Sequence, residues 1–129
     1  MKLENLAFVY MPSADPARDV DWFERTLGAE VVFAIERFGT RVAMIRPAVA
    51  GPAILLAGHL KGDPILVFRV DSLEDTTREL IAAGATVSEE FGIPPGEIRE
   101  IETPGGQRLA IYEETRPDRI GGMSGRRDW

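Results

Sequence analysis

The chain of 129 residues contains no cysteine and a single histidine, His59. Without thiols there are no disulfides, no thiolate metal sites and no cysteine nucleophile, and a reducing compartment is expected. Basic residues are in deficit: 15 Lys and Arg stand against 21 Asp and Glu, a formal net charge of -6 with a pI near 4.8. That balance argues against a phosphate-backbone footprint, so neither nucleic acid nor an anionic membrane is expected as a partner. Long apolar runs are also missing, and residues 1–5 carry no basic leader pattern. No signal peptide and no membrane span are expected, which makes a cytoplasmic location the default. Glycine-rich phosphate loops, nucleophile elbows, zincin helices and paired-carboxylate signatures are absent as well. Nucleotide, serine hydrolase and zincin chemistries therefore find no support.

What is present describes an ordinary folded domain. Hydrophobic residues make up 44% and charged residues 28%, which is enough to build a core and far from the composition of disordered chains. The run Leu6 to Met11, stopped by Pro12, is too short and too apolar for anything but a buried strand. Asp15 and Pro16 then start a helix, Val20, Phe23 and Leu27 recur along one face, and Gly28 ends it. Trp22 and Phe33 are expected in the core. Residues 30–37, 41–46 and 52–57 read as strands divided by turn chemistry. The same order then returns: a strand at 64–70, a helix capped by Ser72 with Leu73, Thr77, Leu80 and Ile81 on one face, a stop at Gly84, and strands at 85–89, 97–102 and 107–112, with 92–96 as a loop. The phrases Leu27-Gly28-Ala29-Glu30-Val31 and Ala83-Gly84-Ala85-Thr86-Val87 sit at matching helix exits, which supports an internal duplication. Residues 1–115 are read as one domain with modules at 1–60 and 61–115. The remaining 116–129 is a basic tail with four arginines against two aspartates. It is expected either to dock on its own subunit or a neighbour through Trp129, or to fray.

A doubled β-α-β-β-β plan with an Asp-Pro helix start, the Trp22-Phe23 pair, Leu27-Gly28, Phe68-Arg69-Val70-Asp71, Ala83-Gly84-Ala85 and Thr103-Pro104-Gly105-Gly106 resembles the vicinal oxygen chelate superfamily of glyoxalases, bleomycin-resistance proteins and extradiol dioxygenases. The resemblance covers roughly residues 6–113. It implies an α+β fold in which two βαβββ modules form a curved, mostly antiparallel eight-stranded cup with the helices outside. Metalloenzymes of that family carry His and Glu ligands on the first and last strand of each module. Those places fall here on Phe8 (or Ala7), on Leu55 or Leu56, on Ile65 and on Ala110, none of which can ligate a divalent ion.

Alternation along the strands puts Leu6, Phe8 and Tyr10 on one face, as it does Ile65, Val67 and Arg69, and Arg108, Ala110 and Tyr112. The cup implied by the resemblance would be apolar and aromatic, the usual constitution of a small-molecule pocket. Its candidate ligand-binding residues are Phe8, Tyr10, Phe33, Val67, Arg69, Arg108, Tyr112 and His59. Arg69 and Arg108 can hold a carboxylate or stack on a ring, or they can cap sheet edges against the acidic surface. His59 is either a ligand or base, or a residue of the loop and rim. Glu89, Glu90, Glu97, Glu100 and Glu102 either attract a cation or guard an edge strand. The expectation is a homodimeric binder of an apolar or aromatic small molecule, with no cofactor and with enzymatic activity left open. Two other readings stand beside it. One is a glyoxalase-like lyase, isomerase or dioxygenase with a relocated divalent metal, using His59 with Glu36 or Glu102. The other is a regulatory module whose tail reaches a protein partner.

Overall fold

The computed structural model describes residues 3–37, 39–93, 96–116 and 122–129. The chain runs through β1 (Asn5–Pro12), α1 (Pro16–Leu27), β2 (Glu30–Arg37), β3 (Thr40–Arg46), β4 (Ala53–Ala57), β5 (Ile65–Arg69), α2 (Leu73–Ala82), β6 (Thr86–Val87), β7 (Phe91–Ile93), β8 (Gly96–Glu102) and β9 (Arg108–Glu114). This is the doubled βαβββ plan with β7 added. The class is α+β.

Two compact units divide the chain. One holds residues 8–64 with 123–129, and the other the described residues of 1–7 and 65–122. Each module therefore receives a terminal segment from the far end of the sequence, which a cut at residue 60 does not anticipate.

In the unit of β1 to β4 the hydrogen-bonded order is β2-β3-β4-β1. Its first and last strands are parallel neighbours, with Tyr10 opposite Leu55, while β2–β3 and β3–β4 are antiparallel. Asp15 caps α1 by accepting from the Arg18 amide, Pro16 occupies the first turn, and Gly28 leaves the helix at φ 68°. The helix packs one sheet face through Val20, Ala34, Ala43, Ile45 and Leu56, with Phe23 and Trp129 at the margin. Trp22, expected inside, is 53% exposed and stacks edge-on against Phe23. It lies on the solvent side of a helix whose inward face is set by Val20.

The second unit repeats the arrangement. Its order is β5-β9-β8-β6, with β5 and β9 parallel and β8 antiparallel to β9. The Ser72 hydroxyl accepts from the Asp75 amide at 3.2 Å and caps α2. Val70, Leu73, Ile101 and Ile111 form the core beneath the helix, joined by Leu3, Phe68 and Leu80. Ile81 is exposed, whereas Thr76 and Thr77 are buried. The buried face is thus rotated from the expected one toward Leu73-Thr76-Thr77-Leu80.

The expected strand at 85–89 is only two residues long, and part of the expected loop at 92–96 is a strand. The cause is Ser88: its hydroxyl accepts the Glu100 amide at 2.8 Å, taking a bond the ladder would otherwise use. β6 stops there, and β7 resumes on the same partner, with Phe91 opposite Ile98. Arg116 holds the β7–β8 hairpin from outside, donating to the carbonyls of Ile93 at 2.8 Å and Gly96 at 2.9 Å. Gly96 itself approaches β9 so closely that a Cβ there would lie 1.9 Å from the Glu113 carbonyl oxygen. Replacing Gly96 by Ala should cost on the order of 3 kcal/mol, since backbone rather than a flexible side chain must give way. A denaturant titration with an unchanged midpoint would refute that close approach.

Among the described residues, no helix is long and apolar enough to cross a membrane.

Candidate functional site

In the β1–β4 unit the sheet face away from α1 carries a row of large side chains. Register places Phe33 opposite Met44, Met44 opposite Leu55 and Leu55 opposite Tyr10, so the four share one face. Phe8 joins them, its ring 6.4 Å from that of Tyr10 in an edge-on arrangement. All five are buried, none more than 8% exposed. Among these five side chains, Tyr10 carries the one hydroxyl. The Tyr10 hydroxyl lies 2.6 Å from His59 Nε2, and His59 Nδ1 lies 3.4 Å from the Thr40 hydroxyl. With the ring proton on Nδ1, the phenol donates to Nε2 and the imidazole to Thr40. Gly58 places His59 just beyond β4 by donating its amide to the Arg41 carbonyl at 3.0 Å. A buried phenol is thus linked by a hydrogen bond to an exposed imidazole at the rim of an apolar surface.

The β5–β9 unit presents the matching face. Val67 lies opposite Ala110, Arg69 opposite Tyr112, and Tyr112 opposite Ile98. Val67, Ala110, Tyr112 and Ile98 are buried. Arg69 is held by two carboxylates, Glu4 at 3.1 Å and Glu114 at 2.7 Å, and Arg108 faces Glu100 at 3.7 Å. Both guanidinium groups are therefore engaged by acids of their own unit, the edge-capping arrangement. Burial, reinforced by Glu114, pushes the Tyr112 phenol above the usual tyrosine range.

The acidic cluster is largely compensated: Glu90 pairs with Arg99, Glu97 with Arg116 and Glu100 with Arg108. The expected edge strand is not found: β8, which carries Glu97, Glu100 and Glu102, pairs with β9 on one side and with β6 and β7 on the other. One opening was not legible in the sequence. An apolar cleft of about 160 Å³ beside α2 is lined by Leu3, Phe68, Leu80, Ile101, Leu109 and Ile111. It needs Leu3 to pack against the core beneath α2, a contact no local pattern announces.

At the four positions where the sequence resemblance would place metal ligands, the structure holds no donor side chain. Phe8, Leu55, Ile65 and Ala110 are buried hydrocarbon, and among the described residues no three His, Asp or Glu side chains converge. His59 is engaged by Tyr10 and Thr40, and Glu36 by Arg41 at 3.3 Å. The side chains of Phe8, Leu55, Ile65 and Ala110 offer no donor to a divalent ion.

The two modules, each with its first and last strands paired in parallel and a helix on one face, constitute the vicinal oxygen chelate fold. Solved structures agree. The chain is similar to methylmalonyl-CoA epimerase from Mycobacterium tuberculosis, at 21% identity and a TM-score of 0.73, over 88% of this chain and 89% of that one. A hypothetical protein from Bacillus halodurans matches at 13% identity and TM-score 0.72, over 86% and 94%. A Streptomyces coelicolor methylmalonyl-CoA epimerase variant, in complex with 2-nitronate-propionyl-CoA, matches at 16% and 0.67, over 88% and 99%. At such identities the likeness concerns the fold. No family model and no curated protein sequence matches the chain.

Because the native phenol of Tyr112 ionises later than an unfolded one, its contribution to stability is complete below about pH 10 and lost as pH rises through the native value. The stability of the wild-type chain should therefore fall more steeply above pH 10 than that of Tyr112→Phe. Parallel denaturation curves for the two proteins across that range would rule out a raised phenol.

Proposed function

We propose that this chain is a metal-free binding protein of the vicinal oxygen chelate fold whose ligand is an apolar or aromatic small molecule. The observation that carries the reading is the hydrocarbon at Phe8, Leu55, Ile65 and Ala110, where the family's metalloenzymes need donors. The faces bearing those residues keep their apolar and aromatic character, which suits dispersion contacts and ring stacking better than Lewis-acid chemistry. On the β1–β4 face Phe8, Tyr10 and Phe33 supply the contact surface, and the Tyr10–His59 pair supplies one hydrogen bond to a polar group of the ligand. Val67 and Tyr112 supply the equivalent surface on the other unit, with Arg69 and Arg108 at its polar ends. Since these faces are almost fully buried, ligand entry requires side chains to separate. A homodimer in the cytoplasm belongs to the same reading. The ligand of the Streptomyces protein, 2-nitronate-propionyl-CoA, supports the general point that this fold accommodates small molecules.

Two measurements test it. Tag-free protein dialysed against excess Mn, Fe, Co, Ni and Zn should retain no stoichiometric ion, and one tightly held ion per chain would overturn the proposal. In a thermal-shift screen of aromatic compounds, a ligand at a hundred times its Kd should raise Tm by roughly 10 °C. Tyr10→Phe should weaken that ligand about tenfold through the lost hydrogen bond. A screen in which no aromatic compound shifts Tm would remove the binding-protein reading.

A further inference from the structure

The outer edge of β2 is closed by the chain's own C-terminus. Gly125 donates its amide to the Val32 carbonyl at 2.7 Å, Ala34 to the Arg126 carbonyl at 2.9 Å, and Asp128 to the Ala34 carbonyl at 2.7 Å. The Glu36 amide donates to the Asp128 carboxylate at 3.0 Å. The Val32 carbonyl, both backbone groups of Ala34 and the Glu36 amide thus find partners in this one segment. The bridge between Ala34 and Arg127 is parallel, so the segment pairs with β2 as one more strand would at that position. Two side chains fasten it. Arg127 grips the Glu24 carboxylate on α1 with both terminal nitrogens, each at 3.1 Å, and holds that carboxyl below its usual range. Trp129 packs against the core beneath α1, with the Arg41 guanidinium 5.3 Å from its ring centroid. A backbone ladder, one charge clamp and one aromatic anchor are the components of peptide recognition by strand addition.

β2 needs such a cover. It is the end strand of its run, and its centre, Val31 to Ile35, is uncharged, free of proline and rich in β-formers. An uncovered edge of that composition is a template for another strand. The same edge on a second molecule is complementary to it about a two-fold axis.

We propose that the β2 edge is a strand-docking site contested by two occupants, Met123–Trp129 in cis and the β2 edge of a second copy of this chain. The cis segment holds the site because its tether gives it a high effective concentration. Lifting it opens a β2-to-β2 interface.

The test is a chain ending at Gly122, followed by light scattering over a range of concentrations, with and without a synthetic peptide of residues 123–129. The truncated chain should reach twice the mass of the full-length species as concentration rises, and saturating peptide should restore the original mass. A folded truncated chain of unchanged mass, or an association the peptide does not reverse, would overturn the proposal. Should circular dichroism show the truncated chain unfolded, full-length Arg127→Glu decides. Amide exchange at Ala34 should accelerate about fivefold and self-association should appear, both reverting in the Glu24→Arg/Arg127→Glu pair. Unchanged exchange, or faster exchange without association, refutes the two-occupant site.

Discussion

The parallel pairing of the first and last strand in each module is the constraint on which the other features rest. A parallel pair cannot be closed by a tight turn, so the chain must travel through a helix and two further strands before returning. That route places α1 and α2 each on one sheet face and leaves the opposite face to the alternate residues of β1 and β4, or of β5 and β9. Tyr10 meets Leu55 and Arg69 meets Tyr112 only because of these pairings. His59, just beyond the last strand of its module, is thereby brought within hydrogen-bonding distance of the first.

Those opposite faces also decide the chemistry. Phe8, Leu55, Ile65 and Ala110 put buried hydrocarbon on these faces, and polar groups join it at Tyr10 with His59 in one unit and at Arg69 with Glu4 and Glu114 in the other. A lone phenol–imidazole pair at the margin of an apolar surface is suited to recognition through one hydrogen bond. The arginines, engaged by acids of their own unit, stabilise strand ends more than they advertise positive charge.

The edges receive as much structure as the faces. Ser88 intercepts the β8 ladder, Arg116 grips the β7–β8 turn, and the C-terminal segment satisfies the outward groups of β2. Backbone groups on exposed edges must find partners or invite other strands, and this chain meets the need largely with arginine and with its own terminus.

Local chemistry in the sequence was sufficient to determine the doubled order of elements and both helix starts and stops. Caps, glycine exits and short β-branched runs act over a few residues, so they are readable without knowing the partner. It also foresaw the buried aromatic strand faces, because alternation is a property of one strand. Tertiary structure alone decided which strands meet and which groups share a bond. The Tyr10–His59 contact spans 49 residues, Glu36 to Asp128 spans 92, and Glu24 to Arg127 spans 103. No periodicity encodes such separations. Trp22 is exposed and Trp129 packs on the core for the same reason: an aromatic residue is hydrophobic everywhere in the sequence, but only packing decides whether another surface arrives to cover it.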